Sequence, residues 1–198
     1  MKVAIIVAHP DDETIWSGGL ILQKPEWEWT VLSLCRADDP DRSRKFKSVS
    51  GVLGFHALIS DVDDSNPLKQ IDAQRDIGSR ILNFLASTCW DLCLTHGSNG
   101  EYGHPRHKAV HDEVLRLVNG GTLECHQLWT FAYECNVQQR LCRPHPDANF
   151  LVHLADKELL EKRRIVHREY GFAEDSFEVR SCITPESFRR TIVREEQQ

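Results

Sequence analysis

The chain has 198 residues, 40% of them hydrophobic, and a net charge of −6, the proportions of an ordinary globular protein with one core. Its 24 basic side chains are scattered among 30 acidic ones, without the basic stripe by which nucleic-acid binders meet phosphate, so no nucleic-acid partner is expected. No apolar run approaches the roughly 20 residues that span a bilayer, and carboxylates follow the first apolar run too soon for a secretion signal.

Residues 3–8, VAIIVA, are continuously apolar and rich in β-branched side chains. That pattern predicts a central parallel strand covered on both faces. A helix, TIWSGGLILQK, follows, then a strand, WTVLSLC, and a helix, RSRKFKSVSGVLG, whose Phe46, Val49 and Leu53 share a face and which Gly54 closes. The alternation continues with FHALIS as strand and QRDIGSRILNFLAS as helix, with Ile77, Ile81, Phe84 and Leu85 inward. WDLCLTH is the fourth strand, a helix begins near Pro105, and LWTFAY is the fifth strand. Strands alternating with helices predict a single α/β domain, a Rossmann-like, doubly wound and mostly parallel sheet. Beyond residue 135 the pattern weakens to a short strand, NFLVHL, a charged helix opened by Asp156, and a polar tail. The core is therefore expected over 1–135, with 136–198 as an extension of the same domain. Seven cysteines without regular spacing predict reduced thiols in a cytoplasmic protein, with Cys89 and Cys93 as small buried residues.

The polar segments HPDDE, DDSNP and HGSNGEYGHP fall where strands end, and ligands of open α/β sheets bind beyond the carboxyl ends of strands. In AHPDDE, His9 and Asp12 can face one cation such as zinc, while Asp11 stands beside it as a general base. A third ligand has to come from another loop, and EYGHPRHKAVH offers His104, His107 and His111. His107 falls on the inward face with Val110 and Val114, yet the spacing alone leaves the choice among the three histidines open. DDE by itself would read as an acidic helix start; two such motifs at strand ends of one sheet point to a metal site. Neither is HExxH, so a zincin protease is not indicated.

With AHPDDE after the first strand and GHPRH after the fourth, the sequence resembles the LmbE-like, or PIG-L-type, family of zinc-dependent N-deacetylases, over residues 1 to about 135. The resemblance implies His9, Asp12 and His107 as metal ligands and Asp11 as the general base. It also implies His104 as oxyanion stabiliser or proton donor to the leaving amine, and Tyr102 as a residue that polarises the amide carbonyl. The implied cofactor is Zn2+, with Fe2+ as the other divalent candidate. The implied reaction removes an N-acetyl group from an N-acetylglucosamine-like sugar or conjugate. Arg106 stands where many members carry Asp between the two histidines, and RSRKFKSV lacks a frequent Arg-x-x-Glu pattern. Arg36 and Asn99 are expected to contact a small-molecule substrate, with His96 and Trp16 shaping the pocket. Asp61, Asp63 and Asp64 are expected in a solvated turn. The competing reading is a nucleotide- or nucleotide-sugar-binding module without hydrolase activity. It lacks a G-x-G-x-x-G after the first strand, since SGG falls inside the next helix. No pattern fixes an oligomeric state.

Overall fold

The computed structural model describes residues 1–193 apart from Pro67, Arg140 and the side chain of Ile192. Strand β1 (Lys2–Val7) shows how one short run builds two layers. Successive side chains of a strand point to opposite faces, so Val3, Ile5 and Val7 enter one core and Ala4 and Ile6 the other, all fully buried. Each fully buried Val or Ile contributes roughly 1.5–3 kcal/mol relative to exposure. This is why the run carries no polar residue.

Helix α1 (Asp12–Gln23) follows directly, then β2 (Glu28–Ser33), α2 (Pro40–Leu53) and β3 (His56–Ile59). Asp39 caps α2 by accepting the Asp41 and Arg42 N–H groups, and Gly54 ends it in the left-handed conformation that a residue without Cβ adopts freely. A π-helical turn (Gln74–Gly78) runs into α3 (Ser79–Leu85), then come β4 (Trp90–Thr95), a one-turn α4 (Gly100–Gly103), α5 (Pro105–Asn119) and β5 (Cys125–Phe131). A hairpin of β6 (Tyr133–Asn136) and β7 (Leu141–Pro144) precedes β8 (Phe150–Val152) and α6 (Asp156–Arg164). A second π-helical turn (Ile165–Glu169), α7 (Phe177–Ser181) and β9 (Glu186–Ile192) complete the described chain. Among the described residues no helix is long and apolar enough to cross a membrane.

The main sheet runs β3-β2-β1-β4-β5-β9-β8. Its first five strands are mutually parallel, and β9 pairs antiparallel with both β5 and β8. The chain leaves β1 toward β2 and returns to β4 on β1's other side, so the order reverses between β1 and β4. Loops diverge there and leave a crevice at the carboxyl ends of the strands. Both sequence motifs follow those two strands.

Several expectations are corrected. The polar tail contains α7 and the seven-residue strand β9, so the segment after 136 completes the sheet. Phe84 is 42% exposed while Ile77, Ile81 and Leu85 are buried. Cys89 is exposed, and only Cys93 of that pair is buried. Cys135 and Cys142 form a disulfide, because the β6–β7 register places them directly opposite each other. The glycines of SGG serve close packing: a Cβ on Gly19 would collide with the Leu154 side chain.

Candidate active site

The DDE run splits its three carboxylates three ways. Glu13, fully buried, accepts hydrogen bonds from the Tyr170 hydroxyl at 2.6 Å and the Asp11 N–H at 3.1 Å. Burial raises its pKa. Asp12 turns inward, where its Oδ1 accepts the Trp16 indole N–H and its Oδ2 accepts the His9 N–H at 2.8 Å. Asp11 is left facing the crevice, 3.3 Å from an Arg42 nitrogen. Its backbone has a φ of 126°, a conformation that side-chain-bearing residues seldom adopt.

His9 Nδ1, Asp12 Oδ2 and His107 Nε2 then form a nearly equilateral triangle. Its edges are 3.3 Å from His9 to Asp12, 3.4 Å from His107 to Asp12 and 3.3 Å from His107 to His9. Ligands about 2.0–2.1 Å from a tetrahedral zinc stand about 3.3 Å apart, so the three atoms fit such an ion in spacing and donor type.

The atoms behind the triangle fix the tautomers. His107 Nδ1 donates to Glu101 Oε2 at 2.6 Å and His9 Nε2 to Asp64 Oδ2 at 3.0 Å. A carboxylate holds the proton on the outer nitrogen of each ring, so the inner lone pair faces the triangle. Burial lowers the pKa of His9, but Asp12 and Asp64 outweigh it and raise His9 to about 9. A proton and a cation compete for that lone pair. Burial likewise works against ionised Asp12, yet His107, His96 and His9 together hold it well below the usual carboxylate range.

The other histidines separate by their partners. His96 Nε2 accepts the Ala8 N–H at 2.9 Å and its Nδ1 donates to Glu101, so its one lone pair is already engaged. His111 donates to the His96 carbonyl at 2.7 Å and ties the loop. His104 is the N-cap of α5 and accepts the Arg106 N–H on Nδ1 at 3.2 Å. Burial, then His107 and His9, lower its pKa to about 4. His104 is therefore neutral, with its proton on Nε2, and it lines the cleft as a hydrogen-bond donor.

That cleft is about 410 Å³ and brings together His9, Asp11, Asp12, Arg36, Tyr102 and His104. Trp16 reaches its wall, and Phe172, Phe177 and Glu178 from the C-terminal segment close the far side. Burial raises Asp11 to about 8 with Arg42 opposing, which places its basicity near neutral pH. Burial also raises Tyr102, keeping its hydroxyl protonated. Asn99 does not line the cleft: its amide donates to the Tyr133 carbonyl at 2.7 Å and its Oδ1 accepts the Glu101 N–H. The structure thus gives it a loop-tying contact in place of a substrate-facing one.

Two site residues escaped the sequence reading. Glu101, 2% exposed, serves His96, His107 and the Gly97 N–H together; its only signal is an acid within the GEYGHP loop. Asp64 is 8% exposed instead of solvated, because the Arg106 fork holds its loop. The Arg106 nitrogens donate to the carbonyls of Asp63, Asn66 and Lys69 at 3.1–3.3 Å, and Nε lies 3.7 Å from Asp64 Oδ1. Asp61 and Asp63 remain exposed. Among the described residues the non-glycine positions with positive φ are Asp11, Arg36 and Glu101, and all three sit in this site or directly behind it.

The chain is similar to known proteins. An uncharacterized protein, L374, of Acanthamoeba polyphaga mimivirus is 24% identical over 149 residues, covering 67% of this chain and 62% of that protein. The chain thus spans less than two thirds of that relative's length. The N,N'-diacetylchitobiose deacetylase of Pyrococcus horikoshii superposes with a TM-score of 0.70 at 16% identity, covering 97% of this chain and 84% of the other. The 4-carboxy-2-hydroxymuconate hydratase of Pseudomonas putida superposes with a TM-score of 0.64 at 15% identity, covering 91% and 83%. These likenesses establish a fold that carries more than one reaction. The profile described as "PIG-L: GlcNAc-PI de-N-acetylase" matches residues 4–118, more than half of the chain and both halves of the triangle, and the protein belongs to the PIG-L family.

Proposed function

We propose that the protein is a divalent-metal-dependent N-deacetylase that hydrolyses the N-acetyl group of an N-acetylglucosamine-like sugar or conjugate to acetate and a free amine. The observation that carries this reading is the triangle of His9, Asp12 and His107 with Asp11 and neutral His104 on one cleft. The three residues would hold Zn2+, or Fe2+ in its place, and a bound ion supplies Lewis acidity toward the amide carbonyl and toward water.

The remaining roles belong to the chain. Asp11, aimed into the cleft by its backbone turn and by Arg42, accepts a proton from the water whose oxygen adds to the carbonyl carbon. The C=O becomes an oxyanion, toward which the His104 Nε2–H and the Tyr102 hydroxyl donate. Collapse breaks the C–N bond, and the proton taken up by Asp11 passes to the departing amine, while neutral His104 keeps its Nε2–H as a hydrogen-bond donor. Water is thereby divided between acetate and amine, and each side chain returns to its starting state. Arg36, 38% exposed at its side chain and bound to Asp64 through one nitrogen, keeps donors free at the rim for sugar hydroxyl or acidic groups. Neutral His104 and protonated Tyr102 match donor roles, whereas the phosphates of a nucleotide would meet Asp11, Asp39 and Glu178 as well as Arg36 and Arg42 in this cleft, so the lining gives the binding-module reading no particular support.

The test measures acetate released from N-acetylglucosamine, its conjugates and other N-acetylated amines, with and without a chelator. The expected result is release from at least one N-acetylated amine that is lost on chelation and restored by Zn2+ or Fe2+. Release that is indifferent to chelation would sink the proposal.

A further inference from the structure

A second cleft, of about 670 Å³, lies apart from the first. It stands back to back with the first across α7: Phe177 and Glu178 line one, Val179 and Arg180 the other. Its walls come from β7, α6, the following π-helical turn and α7, all beyond residues 4–118 where the family profile matches. A volume in this range suits a small organic ligand.

Its chemistry contrasts with the chain's. In a protein of net charge −6, the lining carries, among the described residues, four arginines and one acid, Glu174. Arg164 is taken up by Glu161 and Glu169 at 2.8 and 2.9 Å, and Arg163 Nε by the Cys182 carbonyl at 3.0 Å. Arg168 and Arg180 remain: both are exposed, and neither has an acidic partner among the described residues. Beside them Leu160 and Leu141 are 65% and 61% exposed. Two unneutralised guanidinium groups next to uncovered leucines suit a ligand that is anionic at one end and apolar at the other.

We propose that this cleft binds an amphiphilic organic anion, one phosphate or carboxylate head on an apolar body, with the head on Arg168 and Arg180 and the body on Leu141 and Leu160. A bare phosphate leaves the leucines uncovered. A nucleotide finds no phenyl, phenol or indole ring in this lining on which to stack its base, and the one imidazole, His167, is tied to the Phe172 carbonyl at 2.7 Å. The assignment does not depend on the deacetylase reading, since no residue of the triangle contributes.

The experiment is isothermal titration of the full chain with monomeric octyl phosphate, alongside inorganic phosphate, 1-octanol and octylamine. The expected result is saturable one-to-one binding of octyl phosphate at least tenfold tighter than any of the other three. The double variant Arg168→Ala/Arg180→Ala should weaken it at least tenfold and Leu160→Gln several-fold, with unchanged circular dichroism. Arg36→Ala, which alters the other cleft, should leave it unchanged. No saturable binding, equal binding of octylamine, or loss confined to Arg36→Ala would overturn the proposal. So would binding to phosphatidylserine vesicles without binding of monomeric octyl phosphate, which assigns the patch to a membrane surface.

Discussion

Asp11 and Asp12 are chemically identical neighbours with opposite surroundings, and substitutions at the two should part accordingly. Asp12 faces three imidazoles, whereas Asp11 faces the cleft and Arg42. Asp11→Asn keeps the shape and removes the base, so bound metal should stay while kcat falls by about 10²–10⁴-fold; full activity in this variant removes Asp11 from that role. His9→Ala and His107→Ala each delete a corner of the triangle and should abolish stoichiometric metal in elemental analysis. Glu101→Gln still accepts a hydrogen bond but loses the charge behind His107, and metal affinity should drop by about 10–100-fold. At this scale much was readable: AHPDDE and GHPRH display their donors. The choice among His104, His107 and His111 was not readable from spacing. The proposed choice of His107 rests on what each second ring nitrogen meets, namely a backbone N–H, a carboxylate and a carbonyl.

Elements carry information that no single residue does. The apolar run of β1 and the Gly54 cap announce themselves because burial on two faces and a left-handed helix end demand those residue types. Strand β9 does not, since ESFRRTI reads as polar and its Glu186 is fully buried only because Lys162 meets it at 2.6 Å. Glu186 also accepts the Gly19 and Leu20 N–H groups of α1, so it pins the C-terminal segment to the helix that opens the site. Glu186→Ala strands a buried ammonium, and a loss of about 3–5 kcal/mol is expected in urea unfolding. Arg106 does the same for the loop after β3, with a fork that brings Asp64 to His9. The fork's contacts join residues 37 to 43 positions apart, which sequence periodicity cannot report. Arg106→Lys offers one point charge for a planar fork and should weaken metal binding severalfold while the fold, by circular dichroism, persists.

Across the whole molecule the two strands beside the reversal of sheet order deliver both halves of the site, so an ion held by Asp12 and His107 would link α1 to α5. Ligand that binds only the folded state stabilises it by about 2.7 kcal/mol at 100-fold its Kd, worth about 5–10 °C in Tm for a chain of this size. Saturating Zn2+ should produce that shift in the wild type and none in His9→Ala. The three positive-φ residues carry a consequence at this scale too. A left-handed residue with a side chain costs about 1–2 kcal/mol relative to right-handed backbone, and glycine would remove that cost at Arg36, offsetting the loss of its half-exposed ion pair with Asp64 at 2.8 Å. Arg36→Gly should hold or raise Tm while KM for the substrate increases. A library of variants screened for heat resistance alone would therefore drift toward glycine at 36 and lose its grip on substrate, whereas one screened for turnover would keep the arginine. At this position durability and activity pull the sequence apart.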